Sequence, residues 1–132
     1  RIINLNKLKE MKKYTKEEVI LIYEVCGEIM YNATLTGDYK TNNREGNKLL
    51  KIFKYFEKNI DFAKECIDAL LKSSNVLVKS KAAAYCLALK YNIKEAENIL
   101  EEISVNDEYG IFSFTAEMTL KVWREEGELK LY

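Results

Sequence analysis

Between residues 15 and 35, apolar side chains recur at three- and four-residue steps: Val19, Ile22, Tyr23, Cys26, Ile29, Met30 and Ala33. That spacing predicts a helix with one buried stripe. Thr15 and Glu18 stand at capping-box spacing, which satisfies two otherwise orphaned backbone donors at the helix start. Gly27 adjoins the stripe, and its missing side chain suits the close approach of a second helix. Thr36-Gly37-Asp38 reads as a turn. The polar run from Thr41 to Asn47 fits either a loop or a solvated helix start. A firm helix follows over residues 47–59, with Leu49, Ile52, Phe53, Phe56 and Ile60 on its buried edge. Ahead of all this, residues 1–13 are rich in Lys and Asn. Ile2, Ile3, Leu5, Leu8 and Met11 would allow a short helix laid on the body, or a frayed terminus.

The second half of the chain repeats itself. Residues 61–93 and 94–126 align without a gap, 33 positions apart. Ala63/Ala96, Ser80/Ser113, Ala83/Ala116 and Leu87/Leu120 are identical pairs. Cys66/Ile99, Ile67/Leu100, Leu70/Ile103 and Leu89/Val122 keep apolar character. Within the repeat, helices are expected over 61–72, with Asp61 as cap, then 76–91 and 94–104. A loop is expected over 105–111, then a last helix capped by Ser113, ending near Glu126 and stopped by Gly127. A period in this range marks stacked helix pairs. The expected fold is all-α: a single domain, residues 1–132, of about six antiparallel helices in a short, right-handed, HEAT-like α-α superhelix. Two units fall below the roughly three that a free-standing array needs. The helices before residue 61 must therefore complete the stack.

Composition changes this picture little. The 48% apolar content is ordinary for a globular chain, and the absence of proline favours long helices. At 132 residues the chain can remove roughly two thirds of its unfolded surface from water. Lys and Arg balance Asp and Glu at 21 each, which lowers the prior for nucleic-acid binding. The balance hides a polarity. Residues 1–60 hold 12 basic against 8 acidic side chains, and residues 61–132 hold 9 against 13. Cys26, Cys66 and Cys86 each fall in an apolar helical pattern, and there is no histidine, so a zinc site lacks ligands. Reduced core cysteines fit a cytoplasmic protein. No apolar run approaches the ~20 residues of a membrane helix. The chain starts at Arg1 rather than Met, which leaves open whether a further N-terminal part, a signal peptide included, precedes it.

Val78-Lys79 and Ala82-Ala83, then Glu95-Ala96, Leu100-Glu101-Glu102-Ile103, then Ala116, Met118, Leu120, Trp123 and Gly127 form a pattern of small and apolar positions. It resembles the bacterial family catalogued as domain of unknown function 2019, over residues 60–127. The resemblance implies a helical fold similar to HEAT repeats, with no catalytic residues to carry over. The chain departs from the family in the short loop after Tyr91, where related chains often carry proline. Some immunity proteins, which neutralise toxins delivered between bacteria, have this size and architecture; that link is an analogy of fold.

Candidate chemistry is sparse. Glu95, Glu97, Glu101, Glu102, Asp107 and Glu108 crowd into fourteen residues. They read either as a solvated helix face or as a docking patch for a basic protein such as a nuclease toxin. As catalysts they lack a desolvated cleft, and no Ser or Cys nucleophile motif accompanies them, so no enzyme activity, cofactor or metal is expected. In the repeat register, Lys81/Phe114, Ala84/Glu117, Tyr85/Met118 and Ala88/Lys121 fall beside the inward positions. Tyr85, Phe114 and Met118 are large for an exposed surface, which marks them, with Glu117 and Lys121, as candidate partner contacts unless residues 1–35 cover them. Trp123 continues the stripe of Ala116, Thr119 and Leu120 and is expected in the core. The alternative is nucleic-acid binding by the basic flank Arg44, Lys48, Lys51, Lys54 and Lys58, with Tyr55 among them. The expected function is thus non-catalytic protein binding, extending to an immunity protein. Nucleic acid ranks lower, and no membrane partner is expected.

Overall fold

A computed structural model describes residues 13–132. Six α-helices account for most of them: α1 (Lys16–Thr36), α2 (Tyr39–Lys58), α3 (Ile60–Leu70), α4 (Val76–Leu89), α5 (Ile93–Ser104) and α6 (Ile111–Glu126). A single 3-10 turn, Asp107–Tyr109, precedes α6, and the described residues contain no strand. The fold is all-α. The apolar positions before residue 13 lie outside the described residues.

The helix ends follow local chemistry. Thr15 and Glu18 form the reciprocal capping box, with Thr15 Oγ1 accepting from the Glu18 amide at 3.1 Å. Gly37 closes α1 in the left-handed region, φ 74°. Asp38 then caps α2 through the Thr41 amide and hydroxyl. This cap settles the polar run from Thr41 to Asn47: it is helix throughout. Two expected caps do not form. Asn59, not Asp61, stands at the start of α3, and it makes no side-chain cap bond. Ser113 lies inside the first turn of α6, where its hydroxyl donates back to the Asn106 carbonyl. It ties α6 to the preceding loop rather than capping a helix.

Helices α1 and α2 pack as one hairpin and α5 and α6 as another. Between them, α3 and α4 contact α1, and α4 also packs on α5 and α6. The repeat positions share burial as well as identity: Ala63, Ala96, Ile67, Leu100, Ala83, Ala116, Leu87 and Leu120 are all buried. The pair Leu89/Val122 diverges. Leu89 is half-buried and packs on the core, whereas Val122 is exposed, because no described helix covers the outer side of α6. Gly27 sits at the contact of α1 with α4. A Cβ there would lie 2.3 Å from Val78 Cγ2, so the two helices meet at a distance only glycine permits.

The centre of the core is aromatic. Tyr85 packs against Phe53, Phe56 and Tyr23, with ring centroids 4.7, 6.1 and 5.9 Å away. The hydroxyls of Tyr23 and Tyr85 are 2.6 Å apart, and Tyr23 also donates to the Leu49 carbonyl. Tyr85 is 4% exposed and is therefore not an outward contact residue. Helices α1 and α2 cover the side of α4 that carries it. Two stripe residues move the other way: Ile29 and Ile60 are partly exposed rather than buried. The three cysteines are buried and free. Cys26 donates to Glu45, a carboxylate also held by Lys48 at 3.0 Å, and this contact links α1 to α2. The chain end folds back across the molecule: Tyr132 donates to Glu57 and lies under the Lys54 ammonium.

Candidate functional site

Helix α4 forms the floor of a groove walled by α2 on one side and α6 on the other. The groove exists because the facing residues are small. Gly46 on α2, Ser80 and Ala84 on α4, and Ala116 on α6 leave unfilled the space that larger side chains would occupy. Its main cavity is about 430 Å³ and opens to solvent. Met30, Leu77, Leu100, Ile111 and Phe112 make its lining largely apolar. A smaller chamber of about 200 Å³ continues along α2 and is bounded by Leu131 of the returning chain end.

Three polar side chains face this apolar space without a protein partner. Asn42 Oδ1 and Ser80 Oγ are buried and accept or donate no hydrogen bond. Lys81 borders both chambers, and no hydrogen bond or ion pair reaches its ammonium. Burial holds the Lys81 pKa below its ordinary value, with no carboxylate among the described residues near enough to offset the desolvation. Buried groups left unpaired cost about 1–3 kcal/mol each, more when charged. The orientation of Asn42 follows from its neighbours. Its Nδ2 donates to Thr34 Oγ1, whose own proton goes to the Met30 carbonyl, so Thr34 can only accept. The amide oxygen is thereby left as the free end. A lone cation, a hydroxyl and an amide oxygen around an apolar cavity can bind and orient a molecule. They do not include a nucleophile paired with a base.

The sequence-predicted contact residues lie elsewhere. Phe114 is 60% exposed, and Ile111, Met118 and Val122 continue an apolar stripe along the outer side of α6, with Glu117 and Lys121 beside it, both exposed. The acidic cluster divides. Glu97 accepts from the Trp123 indole at 3.1 Å, and Glu101 pairs with Arg124, so both serve to hold α6 on α5. Glu102, Asp107 and Glu108 stay exposed without ion pairs. Trp123 is half-buried through the same contact. On the basic flank, Arg44 and Lys48 are engaged by Glu45, and Lys54 rests on Tyr132. Tyr55 packs between Tyr14 and Phe62 and is not free to stack on a base. Lys51 and Lys58 remain exposed.

Compared with protein-family models, curated proteins and solved structures, the chain matches none. Among the described residues, no cluster of side chains is arranged to hold a metal ion, and no helix is long and apolar enough to cross a membrane.

The groove itself is not written in the periodicity of the chain. In the sequence Lys81 stands as the repeat counterpart of Phe114, and Asn42 as part of a polar run. One signal was available. Helix α4 reads VLVKSKAAAYCLAL, and Lys81 stands between Leu77 and Tyr85, on a side that is otherwise apolar or small.

Proposed function

We propose that the protein is a non-catalytic protein-binding module whose partner docks on the outer side of α6. The observation that carries this reading is the exposed stripe Ile111, Phe114, Met118 and Val122, with the unpaired acids Glu102 on α5, Asp107 and Glu108 in the 3-10 turn that leads into α6, and Glu117 on α6 itself. A partner that fits presents an apolar patch rimmed by Lys or Arg: the apolar centre supplies affinity, and the opposite charges supply encounter rate and orientation. An immunity protein that neutralises a basic toxin is the specific form of this proposal. A cytoplasmic location and membership of the family of unknown function both belong to the same proposal. The first is supported by three free, buried thiols, the second by the small-residue pattern of α4 to α6.

A photo-crosslinking residue at position 114, with one at Leu21 on exposed α1 as control, identifies the partner in host cells. The purified partner is then titrated against wild type, Phe114→Ser, and the double variant Glu102→Lys/Glu108→Lys. Each change is expected to weaken binding about tenfold or more, and added salt to slow association. Equal crosslinking at positions 21 and 114, or undiminished affinity in both variants, would remove the basis of the reading.

A further inference from the structure

We infer that the groove between α2, α4 and α6 is a binding site for a small carboxylic acid with an apolar body, its carboxylate seated on Lys81. This site shares only Ile111 with the partner surface proposed for the outer side of α6, and since neither ligand contact below depends on that residue, either reading can fail without the other.

The ligand class follows from the lining. The cavity of about 430 Å³ is within the usual range for small-molecule pockets, which are mainly apolar with a few convergent polar groups. Among the described residues, Lys81 is the sole charged one bordering either chamber. One ammonium with no carboxylate to answer it fits one negative charge. A phosphate dianion would bring a second charge that nothing in the lining neutralises, and a neutral ligand would leave the ammonium desolvated and unpaired. Ser80 Oγ is free to donate to the same carboxylate. The apolar tail has Met30, Leu77, Leu100 and Phe112 to lie against.

Asn42 adds a finer preference. With its Nδ2 committed to Thr34, its Oδ1 can only accept. A hydroxyl or amide N–H on the ligand's body would satisfy it, so a hydroxy acid should bind better than the plain acid.

The test is calorimetric titration of the full chain with octanoate, 3-hydroxyoctanoate, octanamide and octyl phosphate, with amide NMR shifts to locate the site. Octanoate is expected to bind, and 3-hydroxyoctanoate about threefold tighter, as one more neutral hydrogen bond allows. Octanamide and octyl phosphate should each be about tenfold weaker than octanoate. Lys81→Met, which keeps the side chain's length without its charge, should lose about tenfold or more for octanoate. Ala84→Leu fills the floor of the cavity without touching the charge and should also abolish binding. Shifts should centre on Ser80, Lys81 and Asn42. No octanoate binding up to about 10 mM, octanamide binding as well as octanoate, or full binding by Lys81→Met with its helical circular dichroism intact would each overturn the inference.

Discussion

Replacing Gly27 with alanine puts two opposing effects on one residue. In an exposed helix interior, Gly→Ala stabilises by about 1 kcal/mol, because glycine loses the most backbone freedom on folding. Here the new methyl would lie 2.3 Å from Val78 Cγ2 and 3.5 Å from Asn75 Nδ2. Carbon atoms in contact prefer about 3.5–4.0 Å, so more than an ångström must be opened. The clash is with Val78 alone, and Val78 does not yield easily. Val78 is fully buried and, being β-branched, has essentially one rotamer in a helix. Asn75, at ordinary contact distance, caps α4 through the Leu77 and Val78 amides, so a retreat of the Val78 backbone loosens the helix start. Forced overpacking costs about 1–3 kcal/mol, and the rigidity of this contact places it near the upper end. The net expectation is a loss of about 2 kcal/mol and a Tm lower by about 8 °C for a chain of this length. Gly46→Ala is the matched control. Its methyl would meet only the flexible end of Met30, at 3.4 Å, so the helix preference should prevail and Tm should rise by about 2–4 °C. Thermal and urea unfolding followed by circular dichroism measure both. In a double-mutant cycle, Val78→Ala should cost less in the Gly27→Ala background than in the wild type, by about 1 kcal/mol or more. A Gly27→Ala protein as stable as wild type, or strict additivity in the cycle, would refute the claim that α1 and α4 meet at glycine distance.

Lys81→Met should raise Tm, since it removes a desolvated, unpaired ammonium. The lowered Lys81 pKa means that this penalty is full below the folded-state value and gone above about 10.5, so the gain should shrink as alkaline pH is approached in urea titrations. The thiols act in the opposite direction. Burial pushes Cys26 and Cys66 up to about 11 and Cys86 up to about 12, and holds Tyr23 and Tyr85 above the ordinary phenol value. Their stability is fully present below the unfolded-state values and is lost as pH rises through the folded ones, so urea midpoints should fall steeply above about pH 9, and native thiols should react slowly with disulfide reagents. Tyr85→Phe should cost about 1 kcal/mol by leaving Tyr23 one hydrogen bond short, as read from chemical unfolding. Trp123→Phe breaks the bond to Glu97 and should cost about 1 kcal/mol, with faster amide exchange in α6 than in α1.

What the sequence determined by itself was the series of helices and most of their stops. The capping box at Thr15, the apolar steps from Val19 to Ala33, the repeat of Ala63 to Leu87 in Ala96 to Leu120, and the stop at Gly127 are local properties of the chain. Backbone geometry converts them into structure without reference to distant residues. Gly27 was legible for the same reason, since a glycine beside a buried stripe has few other uses. Which surfaces stay open was decided only in three dimensions. Tyr85 and Met118 hold equivalent positions in the repeat, yet α1 and α2 bury the first, and no described helix covers the second. Glu97 and Glu101 read as a free acidic face until α6 brought Trp123 and Arg124 against them. The groove is the clearest case. Asn42 and Lys81 are far apart in the chain, on α2 and α4, and their lack of partners depends on what α6 and the chain end fail to fill. Periodicity reports which face of a helix turns inward. It carries no record of how much space the neighbouring helices leave there, because that space is set by contacts between residues distant in sequence.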